Sequence, residues 1–150
     1  MKTVLTKITI VVVVLAAFAH LLSAAEESWT TDYKKALADA KTGNKRVLLD
    51  FEGSDWCEWC VRLDKEVFSQ AKFKDYAAKN LVLVQLDFPN SKPQSDAVKI
   101  QNEELRQKFG VEEFPTIVVL NGDGKKLGEL HYVPGGPDAF LAELAKVPKS

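Results

Sequence analysis

The stretch Val47-Leu48-Leu49-Asp50-Phe51-Glu52-Gly53-Ser54-Asp55-Trp56-Cys57-Glu58-Trp59-Cys60 decides how the rest of the chain is read. Val47 to Phe51 is a short apolar run of the kind that fills a central strand covered on both faces, with Asp50 as its one interruption. Gly53-Ser54-Asp55 is turn chemistry, and a helix opens behind it at Cys57. The only two cysteines, Cys57 and Cys60, stand three residues apart, on one face of that helix and close enough to bond. A thiol at a helix mouth feels the positive end of the macrodipole and unpaired backbone N–H groups, both of which favour the thiolate. A strand followed by C-x-x-C at the start of a helix therefore points to thiol–disulfide exchange.

Outward from this stretch, 150 residues with 46% apolar content suffice for one ordinary domain. The N-terminal segment stands apart from it. Lys2 and Lys7 precede an apolar run from Ile8 to Phe18, and Ser23-Ala24-Ala25 supplies the small residues that a signal peptidase reads. Residues 1–25 read as a secretory signal peptide cleaved after Ala25, leaving a periplasmic or secreted domain over 26–150. The alternative, an uncleaved membrane anchor over residues 8–22, is opposed by the shortness of the run and by His20. Cleavage removes two lysines and no acid, taking the net charge from −1 to −3. The remaining lysines are interspersed with acids, so a nucleic-acid footprint is lacking.

Further along, Thr30 or Thr31 is expected to cap a helix from about Asp32 to Thr42, with Tyr33, Ala36, Leu37 and Ala40 on its inner face. Trp29 is the apolar anchor of the lead-in. The cysteine helix is expected to turn Val61, Leu63 and Val67 inward, with a second helical piece over Ser69 to Lys79. Leu81 to Asp87 reads as a strand, Phe88 to Pro93 as a loop, and Ser95 to Phe109 as an amphipathic helix stopped by Gly110. Thr116 to Leu120 and Lys126 to His131 read as a hairpin around Asn121-Gly122-Asp123-Gly124. Gly135-Gly136-Pro137 starts a last helix, with Pro137 at its first position and Phe140, Leu141 and Leu144 facing in. This order predicts an α/β sandwich: two early strands parallel through a right-handed crossover, two late ones antiparallel.

Over nearly all of residues 26–150 the chain resembles the thioredoxin family. The residues that carry the resemblance are Val47 to Phe51, Trp56-Cys57-Glu58-Trp59-Cys60, and Phe114-Pro115-Thr116. More narrowly it is similar to secreted bacterial thioredoxin-like proteins with a G-S-D-W-C-x-W-C site, a group close to periplasmic disulfide reductases and isomerases. Asp87-Phe88-Pro89, Gln101-Asn102 with Leu105, and Gly135-Gly136 belong to that likeness. It implies a thioredoxin fold with a mixed four- or five-stranded sheet sandwiched by helices.

The resemblance also implies roles. Cys57 is the attacking thiol and Cys60 the resolving one; Asp50 is a proton relay near Cys60; Pro115 is a cis proline facing the disulfide. Trp56, Trp59, Phe114 and Pro115 would contact the substrate, with Trp59 as an exposed apolar platform. Two departures stand out: the Asp50–Cys57 spacing is one residue longer than the family's, and Gln85 replaces the family's lysine near that acid. The implied activity needs no cofactor and no metal. Its partners would be protein substrates with disulfides and an upstream thiol–disulfide electron donor, acting on a monomer.

Each role has a plainer rival. The cysteine pair could be a structural bridge, although a loop this short is a poor staple. A metal carrier would need more ligands than the chain supplies beside Cys57. Asp50 could face solvent at a strand edge, Trp56 and Trp59 could be core aromatics, and His131 could be a strand-end residue rather than a neighbour of Cys57. For the whole protein the rival is a non-catalytic binding module with a permanently closed disulfide.

Overall fold

The structure is a computed structural model that describes residues 29–149; the expected signal peptide lies outside the described residues. Strand β1 (Arg46–Glu52) is the centre of a four-stranded sheet of order β2-β1-β3-β4. It pairs in parallel with β2 (Leu81–Asp87) and antiparallel with β3 (Thr116–Leu120), which forms a hairpin with β4 (Lys126–Leu130). Every residue of β1 is buried, as a strand with two neighbours and two covered faces must be. Among the described residues the sheet has four strands, and the lead-in contributes one isolated bridge, Thr30 to Val84, beside β2.

Alternation along β1 sorts its side chains onto two faces. Val47, Leu49 and Phe51 join the cluster under α1 (Tyr33–Gly43) and α4 (Asp96–Phe109), with Ala36, Ala40 and Leu105. Leu48 joins the other cluster, with Leu63, Phe68, Phe73, Phe140 and Leu144, under α2 (Glu58–Leu63), α3 (Ala71–Asn80) and α5 (Gly136–Lys146). Arg46, Asp50 and Glu52 share the face of Leu48 by the same period. Arg46 is accommodated there by donating to the carbonyls of Leu144 and Val147 at the end of α5 and to the Tyr76 hydroxyl.

Several boundaries differ from those read in the sequence. Asp32, not a threonine, caps α1: its Oδ1 accepts from Lys35 N–H at 2.9 Å, while Thr30 accepts from Asp32 N–H. A carboxylate at that place satisfies an orphan donor and meets the helix dipole with a full charge. Helix α2 runs without a break into one π turn over Asp64–Phe68, so α3 starts only at Ala71. Val61 is exposed rather than inward, because α2 buries the face carrying Cys60 and Leu63 and the next residue is turned away from it. Strand β4 ends at Leu130, leaving His131 just beyond it, and α5 opens on Gly136, one residue before Pro137.

The π turn places Phe68 against Trp29, Phe73 and Phe140, with ring centroids 5.1, 4.8 and 5.5 Å apart. This aromatic knot seats the far end of the cysteine helix on the sheet. Phe140→Ala is expected to lower the unfolding free energy by about 3–5 kcal/mol, the range for emptying a buried aromatic site, as a lower urea midpoint at unchanged m-value.

Candidate active site

Cys57 and Cys60 are joined by a disulfide at the start of α2, with Cα atoms 5.3 Å apart. Cys57 is the N-cap residue, and its Sγ accepts the N–H of Cys60 at 3.2 Å. A sulfur placed to receive a helix N–H is one whose anionic form is stabilised. Cys57 keeps 6% of its surface exposed and Cys60 2%, so what access there is falls mainly to the first cysteine.

The turn before Cys57 is fastened to the loop after β2. Asp87 accepts from the N–H and hydroxyl of Ser54 at 2.9 and 2.7 Å, and Asp55 accepts from the N–H groups of Asn90 and Ser91. Those backbone bonds hold the Asp55 carboxyl below the usual carboxylate range. The Trp56 indole donates to the carbonyl of Phe88 at 2.8 Å and lies so close over Gly53 that a methyl group there would overlap the ring. Glycine at 53 is thus a demand of packing. Trp56 also meets Phe114 edge-on at 5.8 Å, and Phe114 stacks on Phe88 at 5.1 Å. The Phe114–Pro115 peptide bond is cis. The aromatic chain Trp56–Phe114–Phe88 thereby ties together the cysteine turn, the Phe114-Pro115 turn and the loop after β2.

On the other side of the pair, Trp59 is 51% exposed. Its ring lies 5.3 Å from that of Tyr132, and the Arg62 guanidinium sits 5.0 Å from Trp59 and 5.5 Å from Tyr132. Glu66 accepts from both Tyr132 Oη, at 2.6 Å, and Arg62 Nε, at 3.1 Å. The exposed indole is held in place from behind.

Beneath the cysteine helix, Asp50 is buried with 5% of its surface exposed, and its Oδ1 has no hydrogen-bond partner. Burial, followed by the charges of Glu52, Asp64 and Asp87, holds its carboxyl well above the usual range. Glu52 is raised as well, chiefly by burial, with the hydrogen bond from Gln85 Nε2 to its Oε1 at 2.5 Å pulling the other way.

Residues 33–148 match the family model of the thioredoxin-like domain. The chain belongs to the thioredoxin-like family. It is 32% identical over 123 residues to the disulfide bond reductase DsbH of Chlamydia pneumoniae, covering 82% of this chain and 74% of that one. A solved structure of a DsbH oxidoreductase superposes with a TM-score of 0.76 at 32% identity, over 83% of this chain and 85% of that one. The thiol:disulfide interchange protein DsbD of Photorhabdus laumondii is 31% identical over 111 residues, 73% of this chain but only 18% of that longer protein. The chain is therefore homologous to thiol–disulfide oxidoreductases, and its fold is the thioredoxin fold.

In this thioredoxin-like framework Trp56, next to Cys57 in the chain, meets Phe114, and Asp50 is buried rather than at a solvent-facing edge. Trp56 is about half exposed, pinned by Phe88 and Phe114. His131 sits with its ring nitrogens 3.8 Å from Glu113 and 3.4 Å from Glu129. Glu52, Asp64 and Asp87 escaped the sequence reading as neighbours of Asp50. The signal for Glu52 was available, since it lies two residues along the same strand and so on the same face. None existed for Tyr132, which reaches Trp59 and Glu66 only through the tertiary fold.

Because its folded-state proton affinity is raised, Asp50 stabilises the fold most below its unfolded value of 3.8, and that contribution is lost as pH rises towards the folded value. Asp50→Asn keeps the shape and removes the buried charge. The variant is expected to match the parent's Tm in acid and to exceed it increasingly as pH rises above 3.8; a constant offset at every pH would disprove the assignment.

Proposed function

We propose that this protein is an exported thiol–disulfide oxidoreductase that reduces or isomerises protein disulfides through Cys57 and Cys60. The observation that carries this reading is the redox pair itself: a disulfide whose first sulfur caps a helix and accepts its N–H, beside an exposed, rigidly held tryptophan. Homology to a disulfide bond reductase supports the direction, and the charged-then-apolar N-terminal sequence supports export. Among the described residues no helix is long and apolar enough to cross a membrane.

In the reduced protein the Cys57 thiolate attacks one sulfur of a substrate disulfide. The substrate S–S bond breaks, its other sulfur leaves as a thiolate, and a mixed disulfide forms on Cys57. Cys60 then gives its proton to Asp50 and attacks Cys57 Sγ, releasing the second substrate thiolate and closing the Cys57–Cys60 bond. Two electrons have passed to the substrate, and an upstream dithiol returns them. Trp56, Trp59, Phe114 and Pro115 present the contact surface, with Trp59 offering an apolar face that tolerates many sequences.

The test that separates this from a closed-disulfide binding module is turnover. The pair is expected to open with a mild dithiol and to reduce insulin. Cys57→Ser abolishes the activity, whereas Cys60→Ser accumulates mixed disulfides visible on a non-reducing gel; preferential alkylation of Cys60 in the reduced protein would reverse the two roles. Asp50→Asn slows turnover at neutral pH by ~100-fold if the carboxyl moves the Cys60 proton directly, and identical kinetics at every pH would leave it a structural residue.

Redox bias follows from charge. Glu58 adjoins Cys57 and Asp55 is held ionised two residues before it, so two negative charges oppose a third on sulfur. Equilibration with glutathione buffers is expected to give a potential closer to the roughly −270 mV of a reducing dithiol than to the roughly −120 mV of a strong oxidant. A value above about −170 mV would show that these acids do not govern the site.

A further inference from the structure

The carboxylate in the Asp50 position is one half of a larger arrangement. A cavity of about 400 Å³ lies against β1, α2, the end of β2 and the loop that follows it. Asp50, Glu52, Asp64, Gln85 and Lys92 contribute polar groups to its wall, and Val61, the residue after Cys60, lines it as well. A polar cavity of this size takes up water. Asp50 alone cannot empty it of protons: it is buried, its Oδ1 has no partner, and every proton it takes from Cys60 must leave before the next cycle.

We propose that Glu52 is the second carrier of a proton relay, passing between Asp50 and solvent, through this cavity, the proton that Cys60 gives up or takes back. The inference rests on the oxidoreductase reading above and adds to it the exit path and its residue. During resolution of the mixed disulfide, Cys60 S–H transfers its proton to the Asp50 carboxylate as its sulfur bonds Cys57. The substrate sulfur departs with the electron pair of the broken bond. Asp50 then returns to carboxylate by passing the proton to Glu52, which releases it to water. Recharging the pair by an upstream dithiol runs the same transfers backwards.

Among the acids around Asp50, Glu52 is the buried one that shares its strand face. Asp87 has both oxygens committed to Ser54, where it fastens the loop. Asp64 is exposed on the π turn and accepts from Ser69. Glu52 is buried on the same strand face as Asp50, two residues along, at the end of β1 where the chain leaves the sheet. Its fixed partner is the neutral amide of Gln85, which holds the carboxyl group in place without supplying a charge that would lock it ionised. Lys92, the cation lining the cavity, is held at its outer end by Ser54 Oγ at 2.8 Å. Both carboxyl groups bind protons more tightly than usual, Asp50 through burial and the charges of Glu52, Asp64 and Asp87, and Glu52 through burial and Asp87 and Asp64, against Gln85 and Lys92. Bases of raised proton affinity are suited to exchange protons with a thiol near neutral pH.

The test uses the reduced, full domain and an aromatic disulfide that releases one coloured thiolate when Cys57 attacks and a second when Cys60 resolves, followed by stopped flow from acidic to alkaline pH. Glu52→Gln keeps the length and the Gln85 contact. It is expected to leave the first release unchanged and to slow the second about tenfold, short of the ~100-fold for a direct acid–base group, with one limb of its pH profile gone. Imidazole buffer should restore the rate, and Glu52→Asp should restore the limb. Gln85→Lys, which places a cation on Glu52, should move that limb to lower pH in a protein whose carboxylates are all present. A second release with the parent's rate and pH profile in Glu52→Gln overturns the relay, as does slowing that buffer does not relieve. Absence of a second release in the parent protein would instead overturn the oxidoreductase reading beneath it.

Discussion

A strand paired on both edges and covered on both faces buries all of its side chains, and three of the seven on β1 are ionisable. Arg46, Asp50 and Glu52 all fall on the face towards α2, α3 and α5. Each is settled differently. Arg46 finds the carbonyls at the end of α5, where a cation is favoured by the helix dipole. Glu52 finds an amide. Asp50 keeps an oxygen without a partner, and remaining neutral is then cheaper than being ionised in that place. The price of burying it is bearable because the sheet around it is otherwise continuous and apolar, with Leu48, Ile117 and Val119 closing the core on the same face.

The cysteine pair depends on this strand in a second way. The turn that follows β1 has no regular structure of its own to hold it, so its position comes from bonds to the loop after β2, the strand parallel to β1. Asp87 and Asp55 bind across in opposite directions, each satisfying donors of the other segment. Asn102, buried on α4, donates to the Asp87 carbonyl and locks the far side of that loop. The helix mouth where Cys57 sits is thus set by polar contacts at the end of the sheet, while the aromatic knot around Phe68 seats its other end. A helix clamped at both ends keeps the disulfide, the Trp56–Phe114 contact and the Asp50 cavity in a constant relation.

Electrostatics divide the site into an outer and an inner part. The outer acids, Asp55 and Glu58, lie exposed on either side of Cys57, and backbone hydrogen bonds hold the Asp55 carboxyl below the usual range. The inner acids, Asp50 and Glu52, bind protons more tightly than usual through burial and through Asp64 and Asp87, and Glu52 adds to the effect on Asp50. In the proposed mechanism the outer pair bears on the thiol–thiolate balance of the helix mouth and the inner pair on where the proton goes. A lysine at position 85 would merge the two functions by fixing an inner charge, and Gln85 keeps them apart.

The amino-acid sequence by itself determined the strand, turn and helix around Cys57, the parallel pairing of the first two strands and the position of the hairpin. These rest on local chemistry: runs of apolar residues, turn residues, and two cysteines at helical spacing. For Asp50 the sequence left burial and a solvent-facing strand edge both open, and the structure decided for burial. The outward turn of Val61, the π turn at Asp64–Phe68, the capping by Asp32 and the clustering of Glu52, Asp64 and Asp87 around Asp50 were decided only in the tertiary structure. So was the Tyr132–Trp59–Arg62–Glu66 cluster, whose members are brought together from the end of β4 and the cysteine helix. The reason is physical: which face of a short helix is buried, and which distant charges share one low-dielectric space, are set by the packing of segments far apart in sequence, and no local spacing encodes that packing.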